Sequence, residues 1–220
     1  MKKSLLWKLV ILIFLCSVLA GFLFRRESPL EVGEELLYHV SGGGTGSFTL
    51  QVVRENYFRG EKCYQINFKL SMENFEKAGT FLVNGKGELR YYRVGSTVAE
   101  VWRQLGLLGI AMGQGENWIS LPKNLSTPEH LLILLRFQDL ERKYGEFNFL
   151  SFSPPGIYPG SYTVVGEEKA EVPAGSADCW VLQLEGWKAR MWVTKSEKVV
   201  AKFTEDNLNY ELAQRRFWGA

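Results

Sequence analysis

The stretch that decides the fold is SGGGTGSFTL, residues 41–50, the densest glycine run in the chain. Such a run is either a loop that cradles phosphate or a turn between strands. A phosphate loop of the Walker type needs GxxxxGK[ST] between a strand and a helix, so that backbone N–H groups and a helix N-terminus converge on the anion. Here no lysine follows Gly46, and the next residues, SFTLQVVREN, alternate Phe48, Leu50 and Val52 with Thr49 and Gln51. That is strand periodicity. The preceding EELLYHVS also reads as a strand, so the glycines join two strands in a hairpin or bulged connection, where glycine supplies positive φ at low cost.

The same reasoning extends downstream. KCYQINFKL sets Tyr64, Ile66, Phe68 and Leu70 on one face and Cys63, Gln65, Asn67 and Lys69 on the other, the pattern of a sheet with one buried face. GTFLVNGKGELRYYRV predicts two more strands around Asn84–Gly87, extending an antiparallel meander. SMENFEKA, just before it, is too short to assign. The segment from Val98 to Asn124 mixes apolar patches with Gly106, Gly109, Gly113 and Gly115 and shows no stable period, as a flap or irregular strands would. STPEHLLILLRFQDLERKYG then predicts a helix: Ser126 or Thr127 to cap it, Pro128 in its first turn, Glu129 complementing the dipole, Gly145 past its end. From Gly160 strands resume in four runs, with Trp180, Leu182 and Leu184 sharing a face, then Met191 and Val193, then Val199, Ala201 and Phe203. The class is mainly β, with one helix inserted between two sets of strands.

Composition agrees: 46% hydrophobic, 23% charged, and 14% aromatic, a mixture that favours strands. The net charge of +2 is misleading, because Lys2, Lys3, Lys8, Arg25 and Arg26 fall in the first 26 residues, which hold no acid; the remainder carries −3. A slightly acidic domain lacks the clustered cations that nucleic acid requires, so no nucleic-acid partner is expected. The first 26 residues, with an apolar run from Leu5 to Phe24 interrupted only by Lys8, have the length of a bilayer span. They read as a signal peptide cleaved after Val18-Leu19-Ala20 or as a retained transmembrane anchor. Leu15 before Cys16 does not suit a lipidation site. Residues 27–33 then form a linker, 34–213 a single extracytoplasmic β-rich domain facing the periplasm or cell exterior, and 214–220 a tail.

The chemistry-bearing motifs are sparse. His39 and His130 are the two histidines, and neither has a neighbour at metal-ligand spacing. No GxSxG elbow is present. The expectation is no catalytic residues, no metal and no cofactor. An envelope hydrolase would need His130 or a carboxylate pair at a pocket floor. Cys63 and Cys179 fall on the polar faces of strands from different halves of the chain, and they bridge only if those strands pair, since their Cα atoms must come within about 7 Å.

Three blocks, GEELLYHVSGGGTGSFTLQV, LSTPEHLLILLRFQDL, and YTVVGEEKAEVPAGSADCWVLQLEG followed by RMWVTKSEKVVAKF, resemble in order and spacing a family of bacterial envelope proteins known as domain of unknown function 3108. The second half is similar to the curved antiparallel sheets of periplasmic lipoprotein carriers. The resemblance implies a curved antiparallel sheet or half-barrel closed by a helix, a shape able to hold an acyl chain, and it carries over no catalytic residue. Tyr64, Phe68, Trp180, Leu182, Met191 and Phe203 are then candidate lining residues of a cavity for a lipid or other apolar ligand. The same side chains would equally make a filled core. A module docking an envelope protein through its glycine-rich middle or a free strand edge is the alternative.

Overall fold

The computed structural model describes residues 29–113, 115–152 and 154–218. The N-terminal segment and Cys16 lie outside them. Antiparallel strands β1 (Glu34–Gly42), β2 (Gly46–Phe58), β3 (Glu61–Met72), β4 (Phe75–Asn84), β5 (Leu89–Val94), β6 (Thr97–Trp102), β7 (Leu107–Met112) and β8 (Gly115–Ser120) form one meander. After the two-residue β9 (Leu125–Ser126) comes helix α1 (Pro128–Leu134). A second meander follows: β10 (Tyr144–Phe152), β11 (Pro155–Val172), β12 (Gly175–Glu185), β13 (Ala189–Thr194), β14 (Val200–Glu205) and β15 (Leu208–Phe217). The first and last of the long strands, β1 and β15, pair antiparallel and weld the two meanders into one sheet of 15 strands.

The edges of that sheet are β8 and β9, yet only residues 121–124 separate them in sequence. Five Cα steps reach at most about 18 Å, so the sheet curls until its edges nearly meet. Register shifts at Leu37/Tyr38, Val52/Arg54, Leu82/Val83, Val164/Gly166 and Trp192/Val193 supply the local bends. The result is an open, strongly curved, barrel-like sheet.

The opening glycine run does what its context predicts. Gly42 has φ +108, and a Cβ there would lie 1.8 Å from the Asn207 carbonyl oxygen, so the β1–β2 turn can sit against the β14–β15 turn only with glycine at that position. The segment without periodicity forms regular strands, β6 to β8. Its alternation is hidden because Gly109 leaves room for the ring of Trp118 on the neighbouring strand, 2.8 Å from where a Cβ would stand.

The helix is shorter than the sequence predicts. Thr127 caps it by accepting from the His130 N–H (3.3 Å), and Pro128 begins it. The α-helical part stops at Leu134, and the chain continues in 3₁₀ turns at Leu135–Phe137 and Leu140–Arg142. The Gln138 carbonyl accepts from Lys198 Nζ (2.7 Å), a tertiary partner that replaces a continuing helical one. Gly145 lies inside β10, and strands resume at Tyr144, well before Gly160. Residues Glu129 to Leu134 are all buried, which is the burial of a helix enclosed on every side. It lies in the concavity of the sheet and packs against its inward side chains.

Three further expectations are corrected. Ala201 does not share a face with Phe203: the register shift in the β13–β14 pair leaves it packed with Ala170 and Cys179 in a small second cluster. The Cys63 and Cys179 side chains are not on solvated faces; both are fully buried, on strands that do not pair, and both are free thiols. β15 runs to Phe217 and Leu30 is buried, so the folded unit reaches into the segments read as tail and linker.

Candidate functional site

The antiparallel alternation sends the β1–β2, β3–β4, β12–β13 and β14–β15 turns to one end of the sheet and both described termini to the other. At the first end the helix does not quite fill the concave face. A cleft of about 190 Å³ remains between the start of α1 and the sheet, lined by Phe48, Leu70, Lys77, Pro128, Glu129, Leu132, Trp187, Phe203, Glu205 and Tyr210. Strand parity builds it: Phe48, Leu70, Phe203 and Tyr210 are inward positions of β2, β3, β14 and β15.

The aromatic wall is ordered by ring packing. Phe203 and Tyr210 stack with centroids 3.9 Å apart, and Phe48 meets Tyr210 edge-on at 6.1 Å. Trp187, in the β12–β13 turn, packs on Phe149 at 5.3 Å. Against this wall stand two carboxylates. Glu129 accepts from Lys77 Nζ (2.6 Å) and from the Tyr92 hydroxyl (3.1 Å), so the one cation of the lining is already spent on it. Glu205 accepts from the indole N–H of Trp187, and burial pushes its carboxyl above the usual range despite that bond. Burial likewise pushes the Tyr210 phenol up to about 12.

Of the six residues proposed from the sequence, Phe203 alone lines this cleft. Tyr64, Phe68, Leu182 and Met191 are buried core side chains. Trp180, half-buried, lines a separate cleft of about 370 Å³ near the opposite end, with Leu140 and Val164. Sequence reading missed Phe48, Leu70 and Tyr210, whose inward parity was available, and Trp187, Glu129 and Glu205, whose convergence was not.

His130 is enclosed by protein partners. Its Nε2 lies 2.8 Å from the Gly87 carbonyl and so carries the proton, leaving Nδ1 to face Ser126 Oγ at 3.1 Å. Serine and histidine are both fully buried, and burial holds the imidazole down at about 4. The neutral ring pins the β4–β5 turn to the helix. The Glu129–Glu205 pair sits in a cleft well below the roughly 300 Å³ at which small-molecule pockets begin, and both carboxylates hold protein donors.

At the opposite end, two adjoining clefts of about 380 Å³ each surround Arg90. Arg90 is buried between Glu61 (2.5 Å) and Glu88 (2.6 Å), and its hydrogen bond holds the Glu61 carboxyl below the usual range. Arg103 also pairs with Glu88 (2.5 Å), so two arginines balance two glutamates in an ion-pair network. Among the described residues no group of three or more His, Cys, Asp or Glu is placed to hold a metal.

No family model matches the chain. No curated protein matches it either. Among solved structures, a β-barrel-like protein of domain of unknown function DUF1849 from Brucella abortus covers 86% of this chain and 99% of its own at 11% identity, with a TM-score of 0.53. A Bacteroides fragilis protein described as exported and as having a YmcC-like fold covers 86% and 98% at 10% identity, with a TM-score of 0.37. At such identity the first likeness concerns the fold alone: over nearly all of its described length the chain is similar in fold to one β-barrel-like protein of a domain of unknown function.

Proposed function

We propose that the protein is a tethered extracytoplasmic binding module without catalytic activity, which takes the apolar part of a ligand into the cleft at the open end of its curved sheet. The observation that carries this is the cleft of about 190 Å³ between the start of α1 and the sheet, where half-buried Leu70, Lys77, Trp187 and Glu205 surround the buried rings of Phe48, Phe203 and Tyr210. A cavity for a whole acyl chain is not part of this reading, because the side chains once assigned to line it pack against the helix and the core. The ligand is a lipid or other amphiphile that engages by one end. Membrane attachment through residues 1–26 and kinship with domain of unknown function 3108 belong to the same proposal and rest on the sequence.

The test is native mass spectrometry of the full chain released from membranes, followed by lipid analysis of anything that dissociates. A stoichiometric lipid or amphiphile, lost in Phe203→Ala, is the expected result; a mass that stays bare after incubation with membrane lipids refutes the reading.

A second reading has its own observation. All six residues of edge strand β8 are exposed, Trp118 and Ile119 among them, and among the described residues no strand hydrogen-bonds to its outer edge. Such an edge can accept an extended segment of an envelope protein partner. Site-specific cross-linking from position 119 that recovers one defined partner, and loses it when proline replaces Asn117, supports docking; unspecific products refute it.

A further inference from the structure

The cleft lies at one end of the sheet, and the other end carries an apolar rim. The described chain enters β1 and leaves β15 there, and the β2–β3 and β6–β7 turns point the same way. Five large apolar side chains at this end are 44–75% exposed: Val32 before β1, Tyr57 near the tip of the β2–β3 hairpin, Leu105 in the β6–β7 turn, and Phe217 and Trp218 at the close of β15. Among the described residues, the strand ends beside the cleft expose two, Phe75 and Met112. Single exposed apolar residues need no explanation, but several gathered at one end of a molecule mark an interaction surface.

Two of the five are held in place. The Trp218 backbone N–H donates to the Gly33 carbonyl (2.8 Å), and the indole N–H donates to Glu35 (3.2 Å). A Cβ on Gly33 would lie 2.3 Å from the Trp218 carbonyl oxygen, so glycine lets the end of β15 lie against the chain entering β1. Arg215 and Arg216 sit over the rings of Phe217 and Trp218, at 5.1 and 4.3 Å. A ring with an arginine beside it suits the level of lipid headgroups, where the ring meets the acyl boundary and the guanidinium stays hydrated.

What covers the rim follows from the sequence just before it. The apolar run that reads as a bilayer span ends at Phe24, and the described domain begins at Pro29, five Cα steps later. Those steps reach at most about 18 Å. A span ending at the bilayer face therefore keeps Val32 and its neighbour Trp218 close to lipid. We propose that this end of the sheet rests on the membrane surface, with Val32, Tyr57, Leu105, Phe217 and Trp218 in the headgroup region. This placement rests on the anchor reading of residues 1–26 and adds to it the face that the domain turns to the bilayer. The short tether makes the contact intramolecular, at an effective concentration on the order of millimolar, so the rim needs no affinity for free vesicles. The cleft then faces away from the anchoring bilayer.

The experiment places the full chain, carrying Cys16→Ser, in phosphatidylcholine vesicles and attaches a bimane probe in turn to Tyr57→Cys, Leu105→Cys and Phe75→Cys. The buried thiols of Cys63 and Cys179 do not compete for the label. Quenching by lipid that carries a nitroxide near its headgroup reports contact. The expected result is quenching severalfold stronger at positions 57 and 105 than at 75, and Val32→Ser combined with Tyr57→Ser should weaken it at 105. Quenching no stronger at 57 and 105 than at 75, in a chain that floats with the vesicles, overturns the docking and leaves the anchor standing. A chain left behind when the vesicles float overturns both. Probes at 57 and 105 that are shielded from water but unquenched, in a chain that cross-links to a second copy, assign the rim to self-association and overturn the docking as well.

Discussion

Glu34 shows how much a single side chain can carry in this sheet. It is 1% exposed and bridges Arg136 on the 3₁₀ turn (2.7 Å) and Arg215 on β15 (2.8 Å), and Arg215 continues to Glu197. The sequence does not reveal this, because the partners lie about a hundred residues or more apart along the chain. Removing one partner of a buried pair strands the other, at about 3–5 kcal/mol. Glu34→Ala should therefore shift the urea midpoint strongly downward, whereas Glu34→Leu combined with Arg136→Met should recover most of the loss. The cysteines make a second prediction at this scale. Burial pushes the Cys63 thiol up to about 11 and raises that of Cys179 as well. Since the thiolate is the reactive form, alkylation of the native protein near pH 8, followed by peptide mass spectrometry, should leave both unmodified, and urea should expose both. Strand parity assigned the two to polar faces; it cannot see that the outer face of a curved sheet buries its small residues beneath neighbours such as Trp192.

At the scale of elements, what could be read was whatever announced itself locally. The β1–β2 hairpin, β3, and the β4–β5 turn follow from alternation and from the turn residues at Asn84–Gly87. β7 and β8 did not, since Gly109 gives up its side chain to seat Trp118, and a missing apolar residue breaks the period that sequence reading depends on. The start of α1 was equally legible in Thr127, Pro128 and Glu129, but its end was not, because the chain passes at Leu135 into 3₁₀ turns whose partners, such as Lys198 on the Gln138 carbonyl, come from distant parts of the sequence. The candidate site was the least legible feature: it assembles one to three residues from each of seven separate places in the chain, and parity offers the aromatics without saying which the helix will cover. The cap gives this scale its prediction. Thr127→Ala removes the oxygen that the His130 N–H donates to, at a cost of about 1 kcal/mol, while Thr127→Ser retains it. The comparison of the two variants by thermal unfolding should show a lower midpoint for alanine alone.

At the scale of the molecule, the consequence of welding two meanders through β1 and β15 is that neither half is complete alone. Most neighbouring strands are joined by short turns, but the β1–β15 ladder joins residues such as Glu34 and Phe217 from the two ends of the described chain. Inward side chains from both halves also pack on the same helix, as with Phe81 of β4 against His130 and Phe203 of β14 beside Leu132. Cooperative domains of this kind unfold without populated intermediates, whereas two autonomous halves would separate into two transitions. Unfolding in urea followed by tryptophan fluorescence and by far-ultraviolet circular dichroism should thus give coincident curves. Truncation after Asp206 supplies the stricter test. It removes β15, leaves β1 and β14 with bare edges, and takes away Tyr210, Leu212 and the Arg215 partner of Glu34. If the weld holds the molecule together, the truncated chain loses cooperative unfolding entirely, first meander included; a truncated chain that kept a sharp transition would show that the first eight strands and the helix already fold as a unit.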